Sequence, residues 1–433
     1  MIYFSLNNRS LTADFRQATI EGQAPDKGLY FPAEIPVWKE RFKEDLKNLS
    51  NQEIAFEIMQ PYVGSSIEST YLKEIIAETL SFDFPLQQIN EKMYALELFH
   101  GPTLAFKDLG ARFLSRCLGY FAQSIGKKIT ILVATSGDTG GAVADAFYNV
   151  EGTEVIILYP SGKVSHVQEK QLTTMGGNIH ALEVEGDFDA CQMMVKMAFA
   201  DQGLKESLFL TSANSINISR WLSQQIYYAI AIKQWNEKKQ PIFSVPSGNF
   251  GNICAGLMAQ RSGLPIHHFI AACNKNDVFT RYINTGTYLP DRSYSTISNA
   301  MDVGDPSNFM RILELFKHDH AELTKNISSE SISDDRTNLT MKEVYQTFNY
   351  ILDPHAAVAY SALNDWLEKH PSDKGILLGT AHPVKFPSTV ENSIHTPVPM
   401  PTKIETILKK EKNAILIEPN FASIREVIKK IAN

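Results

Sequence analysis

The sequence predicts an α/β protein: two open, mostly parallel sheets flanked by helices, with an extra mainly helical N-terminal domain. Three observations predict it. From about residue 96, short β-branched runs alternate with helical segments, the pattern of parallel strands joined by helical crossovers. Several of those runs end in glycine-bearing turns that lead directly into helical sequence. The chain also has 433 residues, 44% hydrophobic and 21% charged. That is an ordinary globular balance, but the length exceeds one simple core, so two or three domains are expected.

The elements follow in order. Residues 1 to about 95 read as mostly helical, with apolar residues at helical spacing over 37–49 and 69–80. Within them, Gly28-Leu29-Tyr30-Phe31-Pro32 reads as a turn entering an extended piece. Strands are expected at 128–134, 154–159, 180–184, 241–245, 265–272 and 375–378. Helices are expected at 142–148, 188–199, 221–232 and 253–260. The Ser, Asp, Glu, Asn and Thr of 317–340 read as a solvated connection. Asp353-Pro354 suits an N-cap followed by the first helical position. Residues 404–431 contain a basic amphipathic helix, expected to pack on the body. The expected domains are 1–95, 96–230 and 231–433, the last two free to exchange segments.

Composition excludes several functions. The formal net charge is −7, which disfavours a nucleic-acid or anionic-membrane surface. No run approaches the roughly 20 apolar residues of a membrane span. The N-terminus lacks a basic start followed by an apolar core, so a cytoplasmic protein is expected. Cys117, Cys191, Cys254 and Cys273 are scattered, as buried reduced thiols would be. His267-His268 and His318-Asp319-His320 have no third ligand nearby, so no metal is expected.

The chemistry centres on His100-Gly101-Pro102-Thr103-Leu104-Ala105-Phe106-Lys107-Asp108-Leu109-Gly110. Lys107 sits where a Gly/Pro turn becomes a helix, in largely apolar company. Desolvation disfavours an ammonium there, which makes a lysine a usable amine near neutral pH. Two turns after strands offer anion nests. One runs over Thr135, Ser136, Gly137, Asp138 and Thr139 to Gly140-Gly141, the other over Gly248, Asn249, Phe250, Gly251 and Asn252. Each turn by itself is also a common steric solution between strand and helix. Neither matches GxGxxG or GxxxxGK[ST]. Asn214, Ser215 and Arg220 form a polar cluster before the 221–232 segment, suited to an anion or to capping a helix. Thr380 ends a strand, where its hydroxyl can meet a ring nitrogen or close its own turn.

Together, and in order over most of the chain, these elements resemble the threonine synthase family, pyridoxal-phosphate enzymes of fold type II. The resemblance implies pyridoxal 5'-phosphate as cofactor and Lys107 as its Schiff-base lysine. It implies cofactor contacts at Asp138, Gly248, Asn249, Phe250, Gly251, Asn252 and Thr380. It implies substrate contacts at Thr135, Ser136, Gly137 and Thr139, and substrate-phosphate contacts at Asn214, Ser215 and Arg220. Leu109 stands where some members carry a basic residue, and Asp138 where others carry Asn. Both match the microbial subgroup with SGDTG. The implied reaction is O-phospho-L-homoserine and water to L-threonine and phosphate, by β,γ-elimination and replacement, the last step of threonine biosynthesis. A monomer or homodimer is expected, with no nucleic-acid or membrane partner. Three rivals remain for the residues alone. A serine or threonine dehydratase needs no second phosphate site, a silent homologue binds no cofactor, and a dinucleotide enzyme would bind NAD.

Overall fold

The computed structural model describes residues 1–126 and 128–432. Near the N-terminus, β1 (Tyr3–Ser5), β2 (Thr12–Ala13) and β3 (Tyr30–Pro32) form an antiparallel sheet of order β2-β1-β3. The helices Phe15–Glu21, Asn51–Val63 and Ser69–Thr79 pack with it through Phe15, Ile54, Ile58, Leu72 and Ile76. The region is mainly helical, as the sequence predicts, and adds a small sheet whose third strand is the extended piece expected after Gly28. Strands of two or three residues are too short to show a period of two.

The chain then supplies β4 (Leu86–Gln88), β5 (Met93–Glu97), β6 (Ile129–Ala134), β7 (Thr153–Pro160), β8 (Ile179–Val184) and β9 (Phe209–Ser212). It continues with β10 (Ile242–Pro246), β11 (His268–Cys273), β12 (Ile327–Ser331), β13 (Gly375–Gly379) and β14 (Ile415–Ile417). One sheet is five-stranded, of order β14-β8-β7-β6-β9, with every pair parallel. The other is six-stranded, of order β12-β11-β10-β13-β5-β4, parallel except at its β4 edge. Strands β6 and β10 are buried along their whole length, as sheets covered on both faces require.

Two expectations are corrected. Residues 317–340 are not merely a solvated connection or insertion. They hold the helix His320–Asn326, strand β12 and the start of the helix Asp334–Phe348. The strand reads Ile-Ser-Ser-Glu-Ser, and its serines hide their polarity by bonding. Ser329 Oγ donates to Ala271 O at 2.9 Å, and Ser331 Oγ to Asn274 O at 3.1 Å. The segment 221–232 is two helices, Ile218–Leu222 and Gln225–Gln234, so Arg220 lies inside a helix rather than ahead of one.

Asp353 caps the helix Pro354–Lys369 through the N–H groups of His355 and Ala356. The helix Phe421–Ala432 buries Ile424 and Ile428 in the core of the five-stranded sheet. The four cysteines are buried thiols. Among the described residues, no helix is long and apolar enough to cross a membrane.

Candidate active site

Strands β10, β13 and β5 are parallel neighbours, so their carboxyl ends open at one edge. The loops after them carry residues 247–252, 380–385 and 98–106. In the other sheet β6 and β9 are parallel neighbours, and the loops after them carry 135–138 and 213–217. Five strand ends thus converge, as ligand sites in open parallel sheets do.

Lys107 is the first residue of the helix Lys107–Ile125. The loop before it is stitched to the end of β13. Leu98 N–H donates to Gly379 O, Phe106 N–H to Thr380 O and His382 N–H to Leu104 O, at 2.9, 2.9 and 3.0 Å. Asp108 closes the turn behind Lys107 by accepting the N–H and hydroxyl of Thr103. Burial pushes the Asp108 carboxyl up to about 6. The Lys107 side chain is 16% exposed, and its Nζ lies 3.8 Å from Asp138 Oδ2. Burial lowers its pKa; the Asp138 charge opposes this, and the cations Lys385 and Arg220 reinforce it. The amine is thereby biased toward its neutral, nucleophilic form.

One turn along the same helix, Gly110 lets the Arg220 helix approach. A Cβ there would stand 2.8 Å from Arg220 O. Gly110→Ala should cost about 1–3 kcal/mol of stability. It should also raise KM for an anionic substrate more than it lowers kcat, by displacing Arg220. Chemical denaturation and steady-state kinetics check both.

After β10, the N–H groups of Gly248, Asn249, Phe250, Gly251 and Asn252 bond to no other described residue. The helix Gly251–Arg261 begins there, so its dipole adds positive potential to this row of donors. A Cβ on Gly248 would lie 2.7 Å from Met301 Cα and 3.0 Å from Ala300 O. Gly248→Ala must therefore move backbone. It should weaken phosphate-anion binding at this turn by about tenfold or more, roughly 1.4 kcal/mol, as read by phosphate titration.

Two residues of this turn can contribute to the nest through the backbone alone. Phe250 adopts a left-handed φ of 60° and sends its ring into the core against Phe279, centroids 4.6 Å apart. The Asn252 side chain donates to Pro246 O at 2.9 Å and closes the turn. For both, only the backbone N–H faces the nest. Asn249 reaches across instead: its Nδ2 donates to Ser215 Oγ at 2.7 Å.

In the 135–141 turn, Thr135 Oγ1 accepts N–H groups from Gly137 and Gly140 at 2.9 and 2.8 Å. Thr135 is thus a scaffold of the turn, and the partly exposed Ser136 and Thr139 are its free donors. Gly137 has φ 134°, and a Cβ on it would strike the Gln168 side chain at 2.5 Å. Asp138 Oδ1 is held by Lys385 and Gln168, leaving Oδ2 toward Lys107. Arg220 is buried, and among the described residues its guanidinium bonds only to Ala213 O. Its other donors are available to an anion, and burial lowers its pKa to about 10, still a cation at neutral pH. Asn214 is partly exposed beside it. Thr380 is buried with a hydroxyl that bonds to no described residue.

Sequence reasoning missed Lys385, Gln168 and Gln171. Gln171 Nε2 and Lys385 Nζ both donate to Thr103 O, at 2.9 and 2.8 Å. Lys385 lay in view directly after Thr380-Ala381-His382-Pro383, but a lysine among apolar residues gives no sign of its partner. The glutamines carry no signal at all. Arg311 was also missed. It is buried, donates to Tyr30 O, Ile216 O and Asn308 Oδ1, and ties the small sheet to the Arg220 loop.

Comparison with known proteins identifies the family and the fold. A family model described as pyridoxal-phosphate dependent enzyme matches residues 77–381. Models for the threonine synthase N terminus and C-terminal match residues 2–80 and 356–428. The chain is 43% identical to threonine synthase of Serratia marcescens, with 99% of each chain covered. The crystal structure of threonine synthase from Escherichia coli superposes with a TM-score of 0.93 at 40% identity, covering 99% of this chain and 100% of that one. The pyridoxal-phosphate-bound threonine synthase from Brucella melitensis superposes equally, at 0.93 and 33% identity, with 100% of each covered. The chain belongs to the threonine synthase family of pyridoxal-phosphate-dependent enzymes.

Proposed function

We propose that this protein converts O-phospho-L-homoserine and water to L-threonine and phosphate, with Lys107 at the centre of two adjoining anion sites. The observation that carries the reading is the 2.7 Å bond between Asn249 and Ser215. It joins the N–H nest of Gly248 to Asn252 to the loop that leads to Arg220. One nest takes the cofactor's phosphate and the neighbouring cluster the substrate's.

The residues fit pyridoxal phosphate. A desolvated amine stands at Lys107. Backbone donors stand open at 248–252, and a neutral hydroxyl waits at Thr380. When bound, the cofactor supplies an electron sink conjugated to the substrate's amino carbon. Lys107 holds it through its amine. The same amine would be the base placed to move protons at the substrate's Cα and Cβ. Thr380 would offer the ring nitrogen a hydroxyl rather than a carboxylate, which favours its unprotonated form. Ser136, Gly137 and Thr139 hold the substrate carboxylate with hydroxyl and N–H donors. Arg220, with Asn214 and Ser215, binds the phosphate and takes up its charge as the Cγ–O bond breaks. A proton is to be delivered to Cγ before water adds its oxygen to Cβ, and the proton that the water gives up balances the charge of the released phosphate. The two large sheets supply opposite walls of the site, and their approach would keep other water out.

The test is an assay of the purified protein loaded with pyridoxal phosphate and given O-phospho-L-homoserine. Equal amounts of threonine and phosphate are expected. Release of ammonia without phosphate would make it a dehydratase and overturn the reading.

A further inference from the structure

Lys385 is fully buried, and the roles given so far leave its charge unused. Its ammonium donates to Asp138 Oδ1 and to Thr103 O, each at 2.8 Å. Gln168 Nε2 donates to the same carboxylate oxygen at 2.9 Å. These bonds pin Asp138 with its second oxygen 3.8 Å from the Lys107 amine, beyond hydrogen-bond length. A buried cation without an opposite charge is strongly unfavourable, and so is a lone buried carboxylate. Asp138 and Lys385 satisfy each other. The bond to Thr103 also latches the loop that delivers Lys107.

We propose that Lys385 is a positioning residue, which holds Asp138 beside the Lys107 amine while keeping this loose pair from tightening to a direct hydrogen bond. The inference rests on Lys107 being the cofactor-bearing amine. With Lys385 removed, Asp138 loses its clamp, and the nearest cation left to it is Lys107. The carboxylate would then hold the amine's proton and make it a poorer base. With Asp138 made neutral alone, Lys385 is left unpaired and repels that proton. Removing both charges restores the balance. The directions agree with the charges acting on Lys107, where Asp138 raises its pKa and Lys385 lowers it.

Other charged groups face this cluster from the elements around it. Asp108 lies on the Lys107 helix, Asp145 on the Asp138 helix, Arg220 on Ile218–Leu222 and Lys403 on Thr402–Leu408. They are common to every variant, so comparison with the parent protein removes their part.

The test is a cycle of Lys385→Met, Asp138→Asn and the double variant, each loaded with pyridoxal phosphate. Two quantities are read: the midpoint pH of the bound cofactor's absorbance change, and kcat against pH. Lys385→Met should move the midpoint up by roughly one unit and Asp138→Asn down by roughly one unit. The double variant should return to within about 0.3 units of the parent and exceed each single variant in kcat by about tenfold. Unmoved midpoints, or losses that simply multiply in the double variant, would overturn the proposal. If Lys385→Met does not fold, the double variant must fold with a melting temperature near the parent's; unfolding of both would equally overturn it. A Lys107→Ala control separates the two readings. If its cofactor band matches the parent's, the assignment of Lys107 fails; if that band is lost and the cycle shows no coupling, only the role of Lys385 fails.

Discussion

Lys107→Ala should lower kcat by about 10⁴ or more, equivalent to roughly 5.5 kcal/mol of barrier. The reason is geometric as well as chemical. Lys107 sits at the first position of its helix, on a loop bonded at three points to 379–382. No neighbouring side chain can bring an amine to the same place: the Lys385 ammonium is held by Asp138 and Thr103. The substitution should not unfold the protein. Burial depresses the Lys107 pKa in the folded chain, so the unfolded chain binds that proton more readily. Stability from this group therefore rises as pH climbs from the folded pKa toward the unfolded one, and its cost is fully present below both. Cofactor-free Lys107→Ala is expected to melt at the parent's temperature or above it at neutral pH, and to lose that alkaline gain. Calorimetry over pH checks the stability, and phosphate release checks the rate. Turnover within tenfold of the parent would remove Lys107 from the reaction.

Arg220→Gln should lower kcat/KM by about 10³, near 4 kcal/mol, while the cofactor absorbance survives. The leaving phosphate gains charge as it departs, and in the proposed assignment the buried Arg220 receives it. A guanidinium in a dry site binds phosphate through paired, charge-assisted bonds that an amide cannot replace. Inhibition by inorganic phosphate should weaken in parallel. Retention of the cofactor band would show that the nest at 248–252 is a separate site. Loss of that band, with phosphate inhibition unchanged, would reverse the assignment of the two anion sites.

Much of this was legible in residue order. The strand cores of β6, β7 and β10 announce themselves because parallel strands buried on both faces need near-continuous apolar runs. Lys107, the two glycine turns and Thr380 were visible because their chemistry depends on local features: a turn, a helix start and missing Cβ atoms. Strand β12 was hidden, since its serines become strand-like only when Ala271 and Asn274 offer their carbonyls. Phe250 and Asn252 are expected in the nest by their position in the turn, and only the structure shows that their side chains face the core and the turn itself.

The sequence alone determined the fold class, the family resemblance and the residues able to carry the chemistry, because backbone propensity and side-chain type are properties of short segments. The tertiary structure decided which of those residues meet. Asn249 and Ser215 lie 34 positions apart and bond at 2.7 Å. Lys385 reaches Thr103 across 282 positions. Such pairs are set by strand order, β10-β13-β5 in one sheet and β6-β9 in the other, and strand order is fixed by which apolar faces bury each other, a property of the whole chain that no single segment carries.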